Sequence, residues 1–270
     1  MFTRLVKGAL FALVIGLPLP RAADAAVTTN FSDIWWNPLE SGWGVNISQQ
    51  ADFLFVSFFV YGPDGQPFWY TAQLTLAGQG ANGALIFSGD NYVTSGTRFD
   101  GPWDPTQKGI RRVGSASFTA TSVIAGTLVY TVDGFTTTKS LVRQTLKTES
   151  LAGAYLGGVV TAQTCNNPAF NGNYVSGVTI TVAPAGSNLQ FVTVDVENGN
   201  RCVYAGAYVQ DGQMGRSFGN YTCTAGDSGS YTLFEIQSSI SGVMGRSAVA
   251  SSAGGVSCNI TGRFAAVRTL

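Results

Sequence analysis

From Asp33 to the C-terminus the chain keeps one rhythm: residues alternate between apolar and polar, and Gly, Asn, Asp and Pro interrupt the alternation every ten residues or so. Thr, Val, Tyr and Phe fill the alternating runs. Side chains on extended backbone point to opposite faces at successive positions, so this rhythm specifies half-buried β-strands. No segment shows convincing helical periodicity. Without crossover helices, consecutive strands must pair with their sequence neighbours as antiparallel hairpins.

Several hairpins can be read directly. Phe53–Tyr61 (FLFVSFFVY) and Phe68–Leu76 (FWYTAQLTL) flank Gly62-Pro63-Asp64-Gly65, a turn whose glycine accepts positive φ. Thr127–Val132 and Phe135–Val142 flank Asp133-Gly134, a type I′ signal. The second half contains eight further runs: 154–163, 174–182, 189–196, 202–209, 214–223, 230–237, 242–249 and 258–268. Eight strands in up-and-down order suit a small closed barrel, which removes exposed sheet edges. The expected fold is all-β: two antiparallel up-and-down meander units, built as β-barrels or barrel-like sandwiches. The expected units are residues 26–148, rich in aromatics, and 149–270, holding all the cysteines. In FLFVSFFVY both alternating sets are apolar, which predicts that a neighbour, the C-terminal half being the candidate, covers its outer face.

Arg4 and Lys7 precede an apolar run from Gly8 to Leu19, and Ala23-Asp24-Ala25 places small residues where a signal peptidase reads. Residues 1–25 therefore read as a cleaved signal peptide, too short in its apolar part for a bilayer span of about 20 residues. No later run is long enough to span, so the mature chain is expected to be soluble and exported, to the periplasm or the extracellular space. Cleavage removes Arg4, Lys7, Arg21 and Asp24, leaving 12 basic against 14 acidic residues. With no basic excess and no basic cluster, nucleic acid is not an expected partner.

Cys165, Cys202, Cys223 and Cys258 form an even set in a chain bound for an oxidising compartment, which reads as two disulfides. Their spacings of 37, 21 and 35 residues contain no Cys-x-x-Cys pair, and the chain has no histidine, so no metal site is expected. If the second unit closes as a barrel, Asp211-Gly212-Gln213 sets Cys202 opposite Cys223, and closure sets Cys258 opposite Cys165. The alternative, Cys165–Cys202 with Cys223–Cys258, has similar loop lengths. Cys202-x-x-x-Gly206-x-Tyr208 is echoed by Cys258-x-x-x-Gly262-x-Phe264, and Met214-Gly-Arg-Ser recurs at Met244, as repeated strands of one sheet would.

The absence of histidine also disarms two serine motifs, Gly215-Arg216-Ser217-Phe218-Gly219 and Gly226-Asp227-Ser228-Gly229, since neither serine has a usual general base. No catalytic residue, metal or cofactor is assigned. Carboxylate chemistry survives the exclusion: Glu40 could serve as an acid with Asp33, Asp52, Asp64, Asp100 or Asp104 as partner, making a polysaccharide hydrolase the alternative function. The leading reading is a non-catalytic binding or interaction protein. Its candidate contacts are Trp35, Trp36, Asn37, Glu40, Trp43, Gln49 and Trp69, with Trp103 as a further aromatic wall. Flat aromatic faces can stack on sugars or small apolar molecules while Asn37, Glu40 and Gln49 supply polar contacts. If the chain at Trp35-Trp36 is extended, one of the two rings must face away from the local core. A structural or envelope-assembly role, with an envelope protein as partner, is the third reading.

The stretch Trp35–Ala72 resembles the hallmark of a group of exported bacterial proteins: W-x-N-P-x-x-S-G-W-G, here Trp35 to Gly44, then Gln49, an aromatic strand at 53–61, and D-G-x-P-x-W-Y at Asp64 to Tyr70. The cysteine-bearing half is similar to a second unit found in some members. The resemblance implies bacterial export and a β fold, and lends no catalytic residues. Trp36-Asn37 and Gly153-Ala154-Tyr155 give a looser likeness to avidin and lipocalin barrels, a likeness of fold that carries no function.

Overall fold

The computed structural model describes residues 27–186 and 188–269; the signal-peptide segment 1–25 lies outside the described residues. Strands β1 (Asp33–Trp36), β2 (Gly44–Gln50), β3 (Phe53–Tyr61), β4 (Pro67–Gln79), β5 (Leu85–Ser95), β6 (Gly109–Ala120), β7 (Ala125–Val132) and β8 (Phe135–Arg143) form one closed barrel. Strands β9 (Gly153–Cys165), β10 (Gly172–Ala185), β11 (Asn188–Asp195), β12 (Arg201–Asp211), β13 (Met214–Cys223), β14 (Ser228–Ser238), β15 (Gly242–Ala253) and β16 (Val256–Arg268) form a second. Every pairing is antiparallel, each strand meets its sequence neighbour, and the circles close between β1 and β8 and between β9 and β16. The fold is the expected pair of up-and-down meanders, and both barrels are closed.

The disulfides follow from that closure. Cys202 sits directly opposite Cys223 across the β12–β13 hairpin, and Cys258 opposite Cys165 across the closing β16–β9 pair. Both pairs are bonded, and both lie at the same end of the second barrel, which we call its mouth. The opposite end, its floor, carries the Gly212 turn.

The two floors are built alike. In the first barrel the Trp35 indole donates to the Phe31 carbonyl four residues earlier, and the Arg143 guanidinium of the last strand lies 4.8 Å from the Trp35 ring centre. In the second, the Tyr155 hydroxyl donates to the Leu151 carbonyl four residues earlier, and the Arg268 guanidinium of the last strand lies 4.8 Å from the Tyr155 ring centre. Phe31 and Leu151 are both buried and plug their barrels. Each arginine thus ties the last strand to the segment that precedes the first, satisfying carbonyls that no ladder reaches.

Contacts between the barrels come from these floors. Asp33, buried in an ion pair with Arg143 at 2.8 Å, also accepts from the Gln213 amide of the β12–β13 turn. Thr145 bridges to Gln210 and Gly212, and Thr29 donates to Glu235 of β14. Gly212 has φ +63°, and a Cβ there would stand 2.2 Å from the Asp33 carboxylate, so only glycine lets the turn dock.

The outer face of β3 departs from expectation. Phe55, Phe59 and Tyr61 are exposed, and the second barrel does not cover them. The inward set, Leu54, Val56 and Phe58, is fully buried as the alternation requires. Doubly apolar alternation here marks a strand with one face in the core and an aromatic face left open.

Candidate functional site

The interiors of the two barrels differ because their inward residues differ in size. The first is filled by Phe31, Trp35, Leu54, Phe58, Leu74, Phe87, Phe118 and Leu128, nearly all without solvent access. Trp35 and Phe118 meet edge-to-face at 5.2 Å, and Phe31 meets both Phe87 and Phe118 in the same manner. In the second barrel the corresponding inward positions hold Gly157, Thr161, Ser176, Thr193, Gly206, Gly219, Ser247 and Gly262 among the larger side chains. Gly206 and Gly219 face each other, and a Cβ on Gly206 would fall 2.0 Å from the Phe218 carbonyl oxygen. A barrel with so many small inward residues cannot fill itself.

What remains is a cavity of about 460 Å³ inside the second barrel. Its deeper wall is apolar: Ile180, Phe191, Leu233, Val243 and Phe264. Toward the mouth it is lined by Gln163, Tyr174, Ser176, Thr193 and Asp227. A stacked pair joins the two zones: Tyr204 and Tyr221 lie 5.1 Å apart at 17°, with Tyr231 edge-on to Tyr204. Burial pushes the Tyr204 phenol up to about 12, with the neighbouring Tyr221 adding to the shift and a hydrogen bond with Thr193 opposing it. Burial also raises Tyr221 and Tyr231, so all three hydroxyls stay neutral donors at physiological pH. The volume falls in the range of small-molecule pockets, about 300 to 1,000 Å³, and the combination of an apolar body with few polar groups is their usual composition.

The candidate contacts read from the sequence all lie in the first barrel and line none of this cavity. Trp35 is core. Asn37-Pro38-Leu39-Glu40 forms a turn in which the Glu40 amide donates to the Asn37 carbonyl and the Asn37 side chain accepts from the Leu39 amide. Glu40 then gathers three partners: the Trp43 indole donates to it at 3.2 Å, Asn37 donates at 3.4 Å, and Lys139 forms an ion pair with it while lying 5.3 Å from the Trp43 ring centre. The Lys139 hydrogen bond holds the Glu40 carboxyl below its ordinary range, with the Trp43 bond adding and partial desolvation opposing. A general acid needs its pKa raised, so Glu40 is tuned in the wrong direction for that role. Gln49 is structural, accepting from the Phe31 amide and donating to the Thr29 and Ala51 carbonyls.

Four of the five carboxylates considered with Glu40 have local duties. Asp33 belongs to the buried Arg143 pair at the start of β1, whereas Glu40 follows that strand's far end. Asp64 accepts from the Gln66 amide, Asp100 pairs with Arg98, and Asp104 caps a short 3-10 turn. Of the serine motifs, Ser217 is fully buried and shares a hydrogen bond with the Tyr231 hydroxyl inside the second barrel. Among the described residues no cluster of acidic, cysteine or histidine side chains suits a metal, and no helix is long and apolar enough to cross a membrane.

Trp36 and Trp69 share one outward row on a different surface, with Gly44 and Phe59 between them. Trp36 points outward beside Gly44; Gly44 pairs with Phe59, and Phe59 pairs with Trp69. These residues form one row across β1 to β4, with Phe59 59% and Trp69 53% exposed. The cavity residues were missed because aromatic density drew the sequence reading to the first barrel. The available signal was the run of small inward residues in the second.

No known protein family matches the chain, and no curated protein matches it in sequence. Among solved structures it is similar to a Nostoc punctiforme protein of unknown function from the DUF3598 family, with 10% identity over 88% of this chain and 96% of that one, at a TM-score of 0.24. A superposition that loose carries no argument about fold or function.

Proposed function

We propose that the chain is an exported, non-catalytic binding protein whose second barrel encloses a small, mainly apolar ligand. The observation that carries this is the 460 Å³ cavity, apolar at depth and hydroxyl-lined toward its mouth, in a barrel whose neighbour is packed solid. Export is supported by the signal-like N-terminus and by two disulfides that an oxidising compartment would maintain. All five tryptophans belong to the first barrel, so their emission is a poor reporter of this cavity. The test is native mass spectrometry of the purified protein against a panel of small apolar molecules, repeated with Val249→Trp, which places an indole in the cavity. Binding by the wild type that Val249→Trp abolishes supports the reading. Binding that Val249→Trp leaves intact refutes it.

The outward row of half-buried Trp36 with exposed Phe59 and Trp69 favours a second surface, an outward stacking platform for a carbohydrate or an envelope protein. Contiguous exposed apolar patches mark interaction sites, whereas singly exposed aromatics are ordinary. Phe59→Ala with Trp69→Ala, both more than half exposed, should remove such binding and change the stability of the protein by little, as surface substitutions do.

A further inference from the structure

The electrostatics of the cavity narrow its ligand further, given the binding reading above. No lysine or arginine is among the residues that line the cavity, and Asp227 is its one ionisable carboxylate. Asp227 stands at the mouth, close enough to Tyr221 for its charge to add to the rise that burial gives that phenol, above the Tyr204–Tyr221 stack. The rim repeats the bias. The segments between strands at this end, 166–171, 196–200, 224–227 and 254–255, carry Glu197 and Asp227 and no basic residue. Asp195, at the end of β11, accepts from the Glu197 and Asn198 amides, bonds that hold it ionised. Arg201 is the nearby cation, and strand alternation turns it outward from a β12 whose Cys202 and Tyr204 point in.

A negative rim over a low-dielectric interior attracts cations and repels anions, and tyrosine faces beside a carboxylate add cation–π attraction. We propose that the cavity selects amphiphilic organic cations, with the apolar body against Ile180, Phe191, Leu233 and Phe264 and the positive group at the mouth between Asp227 and the Tyr204–Tyr221 pair. Fatty carboxylates and other anions of the same size are excluded because no basic side chain awaits them.

The test uses three probes that share one apolar body: n-octylamine, 1-octanol and octanoate, titrated into the purified protein and read by native mass spectrometry and calorimetry. The amine should bind about 10-fold more tightly than the alcohol, the scale of one charge-assisted contact, and octanoate should bind more weakly than the alcohol. Asp227→Asn should remove most of the amine's advantage over the alcohol and leave alcohol binding unchanged. In the wild type the amine's advantage should shrink as salt rises, which reads the same interaction without a substitution. Equal affinity for amine and alcohol, or tighter binding of octanoate, overturns the charge selectivity while leaving the cavity reading in place. Failure of all three to bind overturns both.

Discussion

Arg143→Met should destabilise the first barrel by about 3 kcal/mol, and the structure sets that figure. The Arg143 side chain is fully buried and pairs with an Asp33 that is itself 96% enclosed. Removing one partner of a buried pair strands the other charge, at a cost of roughly 3 to 5 kcal/mol. The lower end applies because Asp33 keeps two amide donors, Ile34 at 2.9 Å and Gln213 at 2.8 Å. Arg143 also donates to the Asn30, Ser32 and Val123 carbonyls, so the substitution loosens the plug segment as well as the charge. Arg268 supplies the comparison: it stacks on Tyr155 and donates to Ala152, yet among the described residues it pairs with no carboxylate. Arg268→Met should therefore cost about 1 to 2 kcal/mol, the scale of lost hydrogen bonds. Because every tryptophan lies in the first barrel, urea unfolding followed by tryptophan emission reports Arg143→Met selectively, and circular dichroism, to which both barrels contribute, carries the second barrel's transition as the part that tryptophan emission does not follow. Neutralising the stranded charge in Asp33→Asn/Arg143→Met should recover part of the loss. A double variant no more stable than Arg143→Met, or an Arg268→Met cost equal to that of Arg143→Met, would refute the reasoning.

Reduction should act on the other barrel. Loops of 21 and 93 residues give chain-entropy contributions of about 3 and 4.7 kcal/mol, not additive because one loop lies within the other. Thiol treatment should lower the second barrel's unfolding midpoint and leave the tryptophan-reported transition in place. In alkali, Tyr204 titrates near 12 in the folded barrel against about 10 when unfolded. Its contribution is complete below pH 10 and is lost as pH rises toward 12, about 2.7 kcal/mol at most; Tyr208, also pushed up to about 12 by burial, acts in the same sense, so tyrosinate absorbance with denaturant melts between pH 9 and 12 checks the sign, and Tyr204→Phe should make the profile shallower without abolishing it. Gly212→Ala should uncouple the barrels, since its Cβ meets Asp33 and its φ is left-handed. That strain alone costs roughly 1 to 2 kcal/mol, and limited proteolysis within 144–152 should speed up.

The alternation determined a great deal without tertiary information. A period of two with no helical stretch forces antiparallel neighbours, and Asp133-Gly134 and Gly62 to Gly65 mark their turns where the structure has them. Even the disulfides were legible, conditional on closure: in an up-and-down barrel of eight strands the first must meet the last, so Cys165 can face Cys258. The likeness of the floors, by contrast, is invisible in sequence, because Trp35 with Arg143 and Tyr155 with Arg268 are brought together only by that closing pair. Which barrel is hollow became definite only with closure, which fixes the residues that point inward. Equal strand numbers enclose similar interiors, and what fills them is the summed volume of the inward positions. The first barrel points Trp35, Phe58, Phe87 and Phe118 inward and becomes solid; the second points Gly157, Thr193, Gly219 and Gly262 inward and leaves room for a ligand. Aromatic density in the sequence therefore signalled packing, and the space for a ligand lay where the chain had become small.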